Sequence, residues 1–347
     1  MTPVEESRKR SPILIEPHFR CSGEGDRAGA PTLKETVTEL LYALNFIKSP
    51  TYKLLAINFF FYLLTSAAFV IFSFSYLSLS SFIFTMICVA FLGTVYNSVW
   101  FHRYCCHSAY HFKKARYSYL FLWTNPLSFI FREEVDAIPH RIHHEQSERA
   151  ADPYGPHLGW LGSFLSTELT QRLNTDITAR DYELLTSSVS HIGLAENTFE
   201  QFKMTGSIEK VTQYLSRVVF AQLFWVVLVY TIGGITFVLA WYASCFIATF
   251  LIRDFNWRGH GGNSRHTKKP GWEFDKRSYA LNQRSYGYIG SEWHDNHHKY
   301  PTSANNGFLP GQIDIAFHVI KILRKCGIVQ SYIDSYPRFK EEQLHTA

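Results

Sequence analysis

Eight of the chain's 16 histidines fall into three tight groups: His102 with His107, His140 with His143 and His144, and His294 with His297 and His298. The second and third groups share an H-x-x-H-H spacing. On a helix, positions i, i+3 and i+4 lie on one face, so each run offers three imidazoles side by side as a nitrogen-ligand set for a metal. His102 and His107 are five apart, about 140° around a regular helix. A single mononuclear centre would struggle to use both, whereas a pair of metals or an unwound helix end would not. Asn256 and His260, at i and i+4, form a fourth group. Nine histidines are too many for one ion and suit two, and imidazole alone admits zinc, copper, nickel or iron.

Around these groups stand residues with two readings each. Asp152, Glu145, Glu148, Glu292 and Asp295 could orient imidazoles through the second ring nitrogen or be solvated. Cys105 and Cys106, inside the first group, read as packing residues, since thiolate would suit zinc or iron-sulfur sites. Isolated histidines, His18, His111, His191, His266, His318 and His345, read as structural. His157 is an outer-layer or structural residue, and Trp160 lines a substrate channel or anchors at a membrane boundary. The Lys268-Lys269 run and the net charge of +5 face anionic lipid head groups, an acidic donor protein or water, with no nucleic-acid partner expected.

The elements that must position these residues are apolar. Although 34 Lys+Arg and 29 Asp+Glu occur among 347 residues, residues 54–101 and 218–252 contain none of the four. The first block is long enough for two membrane helices of about 20 residues, with a turn over residues 73–81. The second breaks at Gly233-Gly234 into halves that extend past Arg217 and Arg253, whose long side chains can snorkel. Four spans put every Lys and Arg on one side, which the positive-inside rule makes cytosolic together with both termini. The six cysteines, Cys21, Cys88, Cys105, Cys106, Cys245 and Cys326, show no framework spacing and suit a reducing compartment. Residues 1–50 are expected to be a cytosolic tail without a signal peptide. Within them residues 33–50 are either a helix on the membrane surface or a solvated one, residues 51–335 the main domain, and 336–347 a second tail.

The order H-x4-H, H-x2-H-H, H-x2-H-H with four-span hydropathy resembles the membrane fatty acid desaturase family, in particular its stearoyl-CoA (delta-9) branch, over roughly residues 50–330. Asp152-Pro153, His157-Leu158-Gly159-Trp160, Asn256-x3-His260, Gly290 and Pro301 strengthen the match. The resemblance implies an all-α integral membrane fold, four transmembrane helices carrying a cytosolic helical cap. It implies two ferrous ions on His102, His107, His140, His143, His144, His260, His294, His297 and His298, with Asn256 reaching one through water. It implies an oxidoreductase that uses dioxygen to place a cis double bond in a long saturated acyl group, carried on CoA or lipid. No His-Pro-Gly-Gly haem motif occurs, so a separate donor of cytochrome b5 or ferredoxin type, with its reductase, is expected. The membrane would be endoplasmic reticulum or a bacterial inner membrane. Only Tyr154, Gly155 and Pro156 separate Asp152-Pro153 from His157, where acyl-CoA desaturases carry a longer insert, which leaves the carrier open. A hydroxylase on the same scaffold and a histidine-rich metal carrier are the alternatives; the box spacing disfavours the first and the position of the ligands outside the spans disfavours the second.

Overall fold

The computed structural model describes residues 13–21, 30–47, 53–147, 149, 151–260 and 293–344. Glu148, His266, Lys268, Lys269, Gly290, Glu292 and His345, singled out above, lie outside them. Helices dominate, among them α1 (Leu33–Ala43), α2 (Lys53–Ser75), α3 (Leu79–Phe91), α4 (Glu133–Gln146), α5 (Val211–Arg258), α6 (His294–Lys299), α7 (Ile315–Lys325) and α8 (Tyr336–Leu344).

Three stretches among the described residues are long and apolar enough to cross a membrane: Lys53–Ser75, Leu79–Cys106 and Val211–Arg258. The turn between the first two is tighter than the sequence suggests. Ser78 caps α3, accepting from the Ser81 amide while the Ser81 hydroxyl accepts from the Ser78 amide, so only residues 76–78 are non-helical. The third stretch is 48 residues long and leaves helical geometry at Gly233 and Gly234. Gly234 has φ of +62°, a left-handed conformation that glycine adopts without penalty. Trp225 and Trp241 lie on either side of that break, and their rings stack at 4.7 Å. In a straight helix, 16 residues would separate them by roughly 24 Å. The chain therefore folds back at the glycine pair into an antiparallel hairpin. Phe60, Phe74, Ile87, Leu223 and Val227 point outward and are exposed, a surface suited to an apolar solvent.

Arg217 and Arg253 do not snorkel. Both are buried and paired inside the protein, Arg217 with Glu133 and Glu209 at 2.7 Å each and Arg253 with Glu168 at 2.7 Å. Glu133 also accepts from Trp100 and Asn125, so one carboxylate joins α4, α5 and the end of the second apolar stretch. Buried charges this well partnered fix geometry, because losing either partner strands the other.

The expected tails are not free in their described parts. Ile15 and Asn174 take part in a short antiparallel pairing with Arg172 and Ile13, and Arg20 reaches the carbonyl of Asp152. The α1 helix is inside-out: Glu39 is buried against Arg172 and His18, while Leu33, Val37 and Leu41 are exposed along the opposite side. At the other end, Phe339 of α8 packs on Tyr300 and Phe308, and Glu342 accepts from the Tyr300 hydroxyl. One departure from an all-α reading is a two-stranded antiparallel ribbon, β1 (Tyr110–Phe112) with β2 (Val329–Tyr332), pairing Tyr110 with Tyr332. It fastens the C-terminal region to the strand that follows His107.

Candidate metal centre

The H-x4-H spacing is explained by the backbone that carries it. Beyond Phe91 the helix widens to π geometry over Leu92–Cys106, and His107 caps it. In a π-helix each amide bonds five residues back, so residues i and i+5 stand about one turn apart on a common face. The rings of His102 and His107 lie 5.0 Å apart, and both join one ligand group. The 140° separation of a regular helix does not apply here.

Nine histidines converge as two groups, His102, His107, His140, His144 and His297 in one and His143, His260, His294 and His298 in the other, with ligand atoms within 4.8 Å inside each. Neither H-x-x-H-H run serves as a single set. The α4 run sends its i, i+4 pair, His140 and His144, to the first group and His143 to the second. The α6 run reverses this, sending His294 and His298 to the second and His297 to the first. The groups share a wall, where His144 and His298 stack at 4.3 Å.

Hydrogen bonding cannot satisfy these rings. In the first group the Nε2 atoms form a chain, His102 to His297 at 2.9 Å, His297 to His144 at 3.0 Å, His144 to His140 at 3.2 Å and His140 to His107 at 2.8 Å. An imidazole nitrogen has one proton or one lone pair, so a nitrogen meeting two others cannot bond both. Burial, reinforced by neighbouring imidazoles, holds His107, His140, His144, His260, His294, His297 and His298 well below the usual histidine range. Neutral rings with lone pairs converging at about 3 Å are what nitrogen ligands about 2.1 Å from one cation look like. His143 Nε2 is buried and makes no hydrogen bond, which suits a metal-ligand atom. The donor set fits a pair of metal ions.

Behind the imidazoles, Asp152 Oδ1 faces His143 Nδ1 at 2.8 Å. Burial alone would raise the Asp152 carboxyl, yet the facing His143 brings it down to about 2, so it is an ionised acceptor for the imidazole N–H. Its Oδ1 also accepts from the Tyr154 amide. Gly155 must be glycine, since a Cβ there would lie 2.6 Å from Asp152 Oδ2. His157 stands behind Asp152 and meets Arg20 Nη2 at 3.1 Å, its pKa lowered to about 4 by burial. Trp160 is exposed and donates to Asp254 at 2.8 Å on the outer face of α5.

Residue spacing did not single out Tyr154. Its hydroxyl lies 2.5 Å from His140 Nδ1 and its ring stacks on His143 at 4.2 Å, so it touches one histidine of each group. Its position beside Asp152-Pro153 was the available signal. Arg103 was also missed: it pairs with Asp314 at 2.7 Å, and Asp314 accepts from Asn306, whose carbonyl accepts from Asn296 of α6. That relay ties the first histidine pair to the third run. The two described non-glycine residues with positive φ, Ser108 and Trp293, directly follow His107 and precede His294, as strained backbone clusters at sites that demand it.

Cys105 and Cys106 are buried and join neither group. Glu145 is exposed and Asp295 buried. His191 donates to the Tyr104 carbonyl, His318 to that of Asp314, and His18 meets Glu39, all away from the groups. A cavity touches both groups through His102, His140, His260 and His294, with Asn256 and Tyr154 on its wall. Phe101, Ile252 and Phe255 make the rest largely apolar.

A fatty acid desaturase family model matches residues 80–306. Among similar curated proteins, the chloroplastic palmitoyl-monogalactosyldiacylglycerol delta-7 desaturase of Arabidopsis thaliana is 24% identical over 249 residues, covering 66% of this chain and 55% of that protein. The delta-9 desaturase-like 4 protein of the same plant is 25% identical over 203 residues, covering 54% of this chain and 56% of its own length. The chain thus matches just over half the length of these curated relatives.

Proposed function

The chain belongs to the fatty acid desaturase family, and on that premise we propose that it is a dioxygen-dependent di-iron desaturase that places a cis double bond, delta-9-like, in a long saturated acyl chain. The observation that carries the reading is the pair of histidine groups meeting at one cavity with an apolar wall. His102, His107, His140, His144 and His297 would hold one iron and His143, His260, His294 and His298 the other, with Asn256 in the water-linked position that the family resemblance implies. Bound there, the two irons supply the oxidation that removes hydrogens from adjacent unactivated methylenes, a task beyond any side-chain acid or base.

The protein's own residues hold and position. Asp152 accepts the Nδ1 proton of His143 and keeps its Nε2 turned inward, and the Tyr154 hydroxyl fixes the His140 ring. Phe101, Ile252 and Phe255 exclude water and lay the methylenes along the wall, so chain depth sets the position of the double bond. Four spans, with the histidine side and both termini cytosolic, are supported by the fold-back at Gly233-Gly234 and by the charge distribution. A lipid-borne acyl group is favoured over acyl-CoA by the short segment between Asp152-Pro153 and His157; one similar protein is named for a palmitoyl galactolipid. Electrons come from a separate donor protein.

The test is metal analysis of protein purified anaerobically after iron loading. Two irons per chain, one for each group, are expected, falling in His143→Ala and in His107→Ala while both variants still insert in the membrane. One tightly held zinc with no iron-dependent turnover would remove the di-iron reading.

A further inference from the structure

A second cavity lies where the first apolar helix meets the cap, and no histidine lines it. Asn58 of α2, Arg132 and Asp136 at the start of α4, and Thr167, Gln171 and Arg172 supply its polar wall. Leu55, Ile130 and Val135 supply an apolar one. Asp136 is one helical turn before His140, so this cavity backs onto the helix that carries the second histidine run.

Two of its acceptors have no donor. Asp136 Oδ2 and Asn58 Oδ1 are buried and make no hydrogen bond, although the Asn58 amide donates to the Tyr214 hydroxyl at 3.0 Å. An unmet buried acceptor is costly unless something fills the space with donors. The two arginines, by contrast, have their charges matched: Arg132 lies 3.7 Å from Glu134, and Arg172 is bound to Glu39. A phosphate would therefore find no spare positive charge, and a cation would meet two guanidinium groups.

We infer that this cavity binds a neutral polyhydroxy group, a sugar or glycerol, whose hydroxyls donate to Asp136 and Asn58 and accept from the arginine edges, with its apolar face on Leu55 and Val135. Position suits a lipid as the source. Leu55 and Asn58 belong to the first two turns of an apolar helix at its cap end, where a head group would rest with its acyl chains in the hydrocarbon. The inference rests on the desaturase reading for its purpose, that of presenting a lipid-borne chain, but its test needs no turnover.

The full chain, iron-loaded and in detergent, is equilibrated with monogalactosyldiacylglycerol, phosphatidylglycerol and phosphatidylcholine of identical acyl chains, and retained lipid is read by native mass spectrometry. In parallel, calorimetry measures binding of free methyl β-galactoside. Preferential retention of the galactolipid is expected, falling at least about tenfold in Asp136→Leu and in Asn58→Leu but within about threefold of wild type in Asp136→Asn, which keeps an acceptor. Binding of the free glycoside that is lost in the same two variants, without lipid preference, would also support the site and assign it to a soluble polyol. Equal retention of all three lipids together with no glycoside binding, or binding unchanged in both leucine variants, overturns it. Asn58→Leu lies off the histidine helix, so a folding failure in Asp136→Leu leaves the test intact. Protein that desaturates yet retains lipid unselectively refutes this inference alone; protein that binds the galactolipid but makes no double bond refutes the function alone.

Discussion

Asp152 stands one hydrogen bond behind the candidate ligand His143, and this is where a single atom can be tested. Its ionised carboxylate accepts from the Nδ1 of His143. Asp152→Asn keeps the shape but offers a weaker, neutral acceptor or turns a donor to the ring. Metal affinity is expected to fall by about 10- to 100-fold in chelator competition, the usual effect of losing such a partner. Tyr154→Phe should cost less, since the ring still stacks on His143 and only the contact to His140 is lost. Wild-type iron retention in Asp152→Asn would show that the carboxylate merely fills space. Much of this layer was legible in the sequence, because histidine runs at i, i+3 and i+4 advertise a shared face. Tyr154 and Arg20 were not: one sits in an unremarkable Tyr-Gly-Pro turn, and the other arrives from 132 residues away.

At the scale of elements, the sequence revealed the helices and concealed how they are joined. A regular-helix reading set His102 and His107 on different sides, and only the π geometry of Leu92–Cys106 brings them together. The split of each H-x-x-H-H run between two histidine groups is likewise invisible until α4 and α6 face each other. Arg217 and Arg253 read as flanks of an apolar block because their carboxylate partners lie far away in sequence, apart from Glu209. Arg217→Met should leave Glu133 and Glu209 buried without a cation, at a cost of about 3–5 kcal/mol. A thermal shift assay should show a strongly lowered midpoint or no folded protein, partly rescued when both glutamates are also made glutamine. An unchanged midpoint in the single variant would mean the triad does not hold α4 to α5. The α1 helix buries Glu39 on its protein side and carries Leu33, Val37 and Leu41 on its exposed side. That arrangement suits the membrane surface.

For the whole molecule, three stretches long and apolar enough to cross a membrane accompany two groups in which nine histidines gather. An impermeant thiol reagent added to intact cells is expected to label cysteines placed at the exposed Leu77 or Ile232, in or beside the two turns, and not one placed at the exposed Glu183. Labelling at Glu183 would overturn the orientation. The central claim, that two histidine-held irons desaturate an acyl chain, is met most directly in a desaturase-deficient host. There, mass spectrometry of total acyl chains, with double bonds located as dimethyl disulfide adducts, compares the wild-type chain with His143→Ala. A new cis-monounsaturated chain, with its double bond at one mid-chain position, is expected from the first and none from the second. A hydroxylated product, or the same double bond from both proteins, would contradict it.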